Sequence, residues 1–266
     1  MTETHSLANG GLRLAISAIA RLTLTRPAVR NAMTHEMWDG LIEVATILSA
    51  QPSARVLVVS GEGEKAFSAG ADIAEFPETY ATPEATAAYN SSVRNAQSAI
   101  SNLAIPVIAK VRGACFGGGC GLALHCDVRF AAASARFAIT PAKLGLAYSF
   151  EDTSRLVSLV GPSRAKDILM SGRTMSASEA YDIGLVDRVV EDEGLDAAVS
   201  DYAHDLAELS SESIRIAKAT IDEIAQGRTG PTEGLKRDFE GTFSGEDFAE
   251  GYRAFMEKRK PDFSKP

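Results

Sequence analysis

The chain has 266 residues, 45% hydrophobic and 23% charged, the profile of a folded globular protein rather than a disordered or fibrous one. A chain this long buries roughly 75% of the surface its unfolded form exposes, so it fits one large domain, or a domain with an appendage, with no need of a disulfide or metal staple. With 27 basic against 35 acidic residues, its net charge of -8 sets up a field that repels a phosphate backbone and argues against nucleic acid as a partner.

Leu12 to Leu24 alternates loosely and breaks at Thr25-Arg26-Pro27, which predicts paired strands ending in a turn, since proline removes a ladder donor. Ser17 and Arg21 interrupt its apolar run, and no stretch reaches the roughly 18 apolar residues of a membrane span, so neither a span nor a leader peptide is expected. A helix follows: Thr34 caps it, Glu36 favours its first turn, and Met33, Met37, Leu41, Ala45 and Leu48 form an apolar stripe. Val56 to Val59 is expected to be a buried strand closed by Gly61 and Gly63. Thr82-Pro83 starts another helix with Ala85, Tyr89, Val93, Ala96, Ile100 and Leu103 on one face.

Beyond Pro106 a strand at Val107 to Val111 runs into five glycines between Gly113 and Gly121, then into helical Leu122-Ala123-Leu124. The recurring order of strand, glycine loop and helix predicts right-handed βα units with parallel pairing. Cys115, Cys120 and Cys126 are expected to be reduced thiols in a cytoplasmic chain, because an odd count leaves one unpaired. Packing explains them better than metal, since on a helix Cys120 and His125 point about 140° apart. The capping box Ser176-Ala177-Ser178-Glu179 opens a helix, Val186 to Val190 is a short strand, and helices fill the rest, with Ile214, Ala217, Ile221 and Ile224 marking one. The predicted division is a core over 1–200 and a helical lid or oligomerisation layer over 201–266. Neither an internal repeat nor a low-complexity linker is visible.

Two segments carry candidate chemistry, Phe67-Ser68-Ala69-Gly70-Ala71-Asp72 and Gly113 to Gly121, and each follows a strand. Glycines ahead of a helix clear its first turn, where unpaired N–H groups and the positive dipole end can meet an anionic oxygen. The same glycines also suit close packing of strand on helix. Neither segment is a dinucleotide fingerprint, a phosphate loop or a serine elbow.

Taken in order, these segments resemble the crotonase superfamily, the enoyl-CoA hydratase/isomerase family, from near Leu22 to Phe263. The resemblance runs through Leu22 to Pro27 with Asn31-Ala32, Ala66 to Ile73, Gly117 to Cys120, Lys143 to Leu146, Gly184 to Val186 and Ala254 to Pro261. It implies an α/β fold, a spiral of ββα units with a C-terminal helical trimerisation region, assembled as a homotrimer or dimer of trimers. It also implies an acyl-CoA thioester substrate, with coenzyme A as part of that substrate and no separate cofactor or metal. The N–H groups of Ala71 and Gly118 would hold the thioester oxygen as an enolate forms; losing one such donor typically costs about 2.7–4 kcal/mol. Arg26, Arg30, Ala69, Asp72, Ile73, Phe255 and Lys258 are the expected CoA contacts, with Phe255 and Lys258 reaching a CoA held mainly by a neighbouring subunit, although a solvated tail also accounts for Lys258.

The chain departs from the family at its acids. A hydratase of this family places two glutamates around one water, and those places here are Gly121 and Ala142; Pro141 and Lys143 beside the second are not carboxylates either. A positioned acid or base supplies roughly 10²–10⁴ in rate, so efficient water addition is not expected, and the standard double-bond isomerase loses the second of those glutamates too. Thr140 to Tyr148 instead resembles the methylmalonyl-CoA decarboxylase branch, although that branch has a histidine where this chain has Ala71. Tyr148 is then a candidate acid, or a structural phenol. Glu151 and Asp152 are candidate relocated carboxylates, or acids favoured by a helix dipole. His5, His35, His125 and His204 are expected away from the chemistry. The expected activity is a crotonase-type lyase or isomerase, the alternative a noncatalytic acyl-CoA-binding oligomer.

Overall fold

A computed structural model describes residues 3–263. The chain opens with a meander, β1 (Glu3–Leu7), β2 (Leu12–Ile16) and β3 (Ile19–Leu24), paired antiparallel through Leu7 opposite Leu12 and Leu12 opposite Leu24. Leu12, Leu14, Leu22 and Leu24 point inward, as a period-2 pattern on a half-buried sheet requires. Helix α1 (His35–Ser49) starts where Thr34 accepts a hydrogen bond from the Met37 N–H, and buries Met37, Trp38, Leu41, Val44, Ala45 and Leu48.

Three ββα passages follow. The first is β4 (Val56–Gly61), β5 (Ala66–Ser68) and, after the short α2 (Phe76–Thr79), α3 (Pro83–Ser101). The second is β6 (Val107–Val111), β7 (Ala114–Phe116) and α4 (Gly118–Leu124), and the third β8 (Val128–Ala132), β9 (Arg136–Ala138) and α5 (Phe150–Ser171). In each, the first strand joins a large sheet and the second a small one, so the backbone spirals although the sequence shows no repeat. Second strands of three residues are too short to leave a periodic signature. After β10 (Met175–Ser176) and α6 (Ala177–Asp182), β11 (Arg188–Val190) completes the large sheet in the order β1-β2-β3-β4-β6-β8-β11, parallel from β3 onward. The small sheet has the order β10-β9-β7-β5.

One local expectation changes. The last strand begins at Arg188 rather than Val186, because the Leu185 and Val186 amides are taken by the Ala180 carbonyl in the turn that ends α6. Helix α5 is broken at Gly161-Pro162, where Gly161 has φ 77° and Pro162 brings no N–H. The helical layer comprises α7 (Leu195–Ala207), α8 (Ser211–Ala225), α9 (Glu233–Thr242) and α10 (Glu246–Glu257), so residue 200 falls inside α7. Its outer face is apolar: Ile221, Ile224, Phe239, Phe243, Phe248, Tyr252, Phe255 and Met256 are each more than half exposed. Among the described residues, no helix is long and apolar enough to cross a membrane.

Candidate active site

The two glycine segments meet at the ends of β5 and β7. Gly70 has φ 96°, and a Cβ there would lie 2.8 Å from the Phe116 carbonyl and 3.2 Å from the Gly118 nitrogen, so only glycine lets the chains touch. The Met33 N–H donates to Gly70 O at 2.7 Å and the Asp72 N–H to Met33 O at 2.9 Å. In that parallel bridge the flanking groups of Ala71 are used while its own N–H faces the opposite way. Gly118 is the first residue of α4, where an N–H has no intrahelical acceptor, and Gly117 before it offers no side chain to cap it. A Cβ on Gly118 would lie 3.7 Å from the Ala71 nitrogen and 3.2 Å from Cζ2 of Trp38. The two free main-chain donors are therefore neighbours beside a buried indole.

One turn along α4, Gly121 exposes a gap that side chains from two other elements enter. A Cβ on Gly121 would meet Gln97 Nε2 at 2.7 Å, Asp152 Oδ1 at 2.9 Å and the Tyr148 hydroxyl at 3.0 Å. Gln97 comes from α3 and Asp152 from the first turn of α5, where Ser149 caps the helix by accepting from the Asp152 N–H. Asp152 is only 4% exposed; its Oδ1 accepts from Gln97 Nε2 at 3.0 Å and its Oδ2 from Ser149 Oγ at 2.9 Å. Burial pushes its carboxyl up from an ordinary 3.8 to about 6, against the pull of the Ser149 and Gln97 hydrogen bonds. The Tyr148 hydroxyl donates to Gly117 O at 3.4 Å, and burial, with the nearby Asp152 charge, holds its pKa well above the usual phenol value.

His125, expected far from this site, stands beside it. Its Nδ1 is 2.9 Å from Gly121 O and 3.6 Å from Asp152 Oδ1, because α4 ends there and turns the ring back along its own axis. Burial lowers its pKa to about 4, so it is a neutral imidazole near pH 7. Glu151 points the other way, exposed and 3.9 Å from Arg94. Ala142 is also exposed, on the turn Pro141–Leu144, which carries no acid.

The profile of the enoyl-CoA hydratase/isomerase family matches residues 15–266. The chain belongs to that family. It is 35% identical to a crotonyl-CoA hydratase of Syntrophomonas wolfei across 92% of this chain and 94% of the relative. It is 32% identical to a mevalonyl-coenzyme A hydratase of Aspergillus fumigatus, across 98% of this chain and 97% of the relative. The fold superposes on an enoyl-CoA hydratase/isomerase family protein from Hyphomonas neptunium with a TM-score of 0.93 and 40% identity, over 97% of this chain and 99% of that one. The ββα spiral and the following helices are thus those of the enoyl-CoA hydratase/isomerase family.

The residues expected at CoA are scattered around this family site. Arg26 and Asp72 form an ion pair at 2.8 Å, and Arg26 also donates to Ala32 O, so both brace the first turn against the cradle. The Ala69 N–H donates to Arg30 O at 2.9 Å, while the Arg30 side chain and Ile73 are exposed at the surface. Phe255 is 80% exposed on α10 and Lys258 ends that helix at φ 54°. Sequence reasoning missed Gln97, Trp38 and His125. The available signal for Gln97 was a polar residue directly beside Ala96 on the buried face of α3.

Proposed function

We propose that this family member acts on an acyl-CoA thioester through an enolate, as a lyase or isomerase rather than a hydratase. The observation that carries the reading is one buried carboxyl filling the gap at Gly121, one helical turn from a pair of free backbone amides. The Ala71 and Gly118 N–H groups would stabilise the negative charge that grows on the thioester oxygen. Asp152, with its pKa raised to about 6, is mostly ionised near pH 7 yet still basic enough to take a proton from the α or γ carbon and return it. Tyr148 beside it supplies a second O–H. For a substrate that loses carbon dioxide, the same amides hold the enolate and Asp152 or Tyr148 delivers the final proton. These steps use only groups of this chain and draw on no metal or redox cofactor.

Water addition asks for a second carboxylate, and the turn bearing Ala142 offers none. The exposed apolar face of the C-terminal helices supports a homotrimer or dimer of trimers, in which Phe255 and Lys258 would reach a neighbour's CoA. An acyl-CoA panel in deuterated water tests the reading. Deuterium appearing at the α carbon of butyryl-CoA, or turnover of a branched dicarboxylic acyl-CoA, is the expected result. Tight binding with neither would establish the alternative, a noncatalytic acyl-CoA-binding oligomer.

A further inference from the structure

Gln97 is 1% exposed, and its amide is only half used: Nε2 donates to Asp152 Oδ1 at 3.0 Å, while Oε1 is buried with no hydrogen-bond partner. An orphaned buried carbonyl is costly, and a methionine or leucine would fill that space on α3 with no polar atom to satisfy. The neighbouring carboxyl explains the choice. A carboxylate can only accept, so the amide presents its N–H; a carboxylic acid donates, and the amide carbonyl then has a partner. The last torsion of a glutamine is soft and nearly two-fold, so turning the amide over costs little.

We propose that Gln97 is the positioning residue for Asp152, holding its carboxyl in the Gly121 gap in both protonation states: N–H on the carboxylate and, after the amide turns over, C=O on the acid. A proton taken by Asp152 from a substrate carbon then meets an acceptor that keeps the O–H in place until it is returned. The other titratable or charged groups around Asp152 are Tyr148 on the preceding loop, His125 at the end of α4, and the outward-pointing Glu151 on α5 with its partner Arg94 on α3. His125 Nδ1 stands 3.6 Å from Asp152 Oδ1, and the side-chain hydrogen bonds on the Asp152 carboxyl come from Gln97 and Ser149. Ser149 Oγ, which also accepts the Asp152 N–H, serves Oδ2, so Gln97 is the side chain placed to partner Oδ1 whether or not that oxygen carries the proton.

The catalytic meaning of this inference rests on Asp152 as the proton-handling group, but its test does not. Infrared difference titration of the full-length protein labelled with 13C-glutamine, wild type minus Asp152→Asn, reports the carboxyl midpoint. Wild type minus Gln97→Met reports the amide carbonyl. The expected result is an amide carbonyl band that shifts with the same midpoint as the Asp152 carboxyl, and a carboxyl midpoint raised by about one unit in Gln97→Met, because the bond to the charged form is the stronger one. The acid limb of butyryl-CoA exchange should move up by the same amount with KM unchanged. An amide band indifferent to pH overturns the proposal, and this reading needs no variant to be active. Coupled bands in a protein that exchanges no butyryl-CoA proton would sink the lyase or isomerase reading and leave the hold of Gln97 on Asp152 standing.

Discussion

One side of the candidate site is main chain and the other is side chain, and they were assembled by different means. The amides of Ala71 and Gly118 come from consecutive spiral passages and need only two glycine turns and the absence of a Cβ. The wall of Gln97, Tyr148 and Asp152 draws on α3, a loop and α5, converging on a gap left by a residue with no side chain at all. On the proposed function, the cradle would serve any chemistry that builds charge on a carbonyl oxygen, and the wall would decide which proton moves.

Substitutions can break this contrast, and the wall should be more sensitive. Asp152→Asn should lower butyryl-CoA exchange by about 10²–10⁴, the range of a positioned acid or base. The same variant has a stability signature. The folded-state pKa of Asp152 lies above its ordinary value, so ionising it destabilises the fold: the cost is absent below about pH 4, grows as pH rises through about 6, and is complete above that. Thermal or urea melts should show Asp152→Asn gaining on the wild type, by on the order of 2–3 kcal/mol, between pH 4 and pH 7.

On the cradle side, Gly118→Pro removes one donor at the first position of a helix, where proline is tolerated, and exchange should fall by about 10²–10³ while circular dichroism stays unchanged. Wild-type turnover in that variant would falsify the cradle. Restoring an acid at the vacant place should fail. Gly121→Glu drives its side chain into Gln97, Asp152 and Tyr148, so a loss of about 1–3 kcal/mol and no gain in crotonyl-CoA hydration are expected, and efficient hydration would show that the wall is dispensable. Tyr148→Phe should slow exchange by about tenfold, the worth of one hydrogen bond, if the phenol only assists Asp152. The smallest effect belongs to Glu151→Gln, within about twofold, since its exposed pairing with Arg94 at 3.9 Å is worth at most about 1 kcal/mol.

Legibility followed the same divide. Thr34, Thr82 and Ser176 announced their helices through local capping chemistry, and each does accept the expected N–H. The cradle glycines stood out because a backbone that needs positive φ or close approach leaves a mark in the sequence. Glu151 and Asp152 were indistinguishable there: adjacent helix-start acids differ by about 100° in direction, and only packing against α3 and α4 turns one inward. His125 was misplaced for a related reason, since its position at the end of α4 is set by how short that helix is.

What the residue order determined on its own is local: where helices start, where strands alternate, where glycine must stand, and that no glutamate occupies either expected place. Which side chain fills the gap at Gly121, and that a glutamine with an unsatisfied carbonyl stands behind it, was decided by tertiary structure. The residues at 97, 121, 148 and 152 share no short-range pattern, and their meeting follows from the stacking of α3, α4 and α5 on the spiral, where hydrogen bonding and desolvation act on whatever the packing brings within 3 Å.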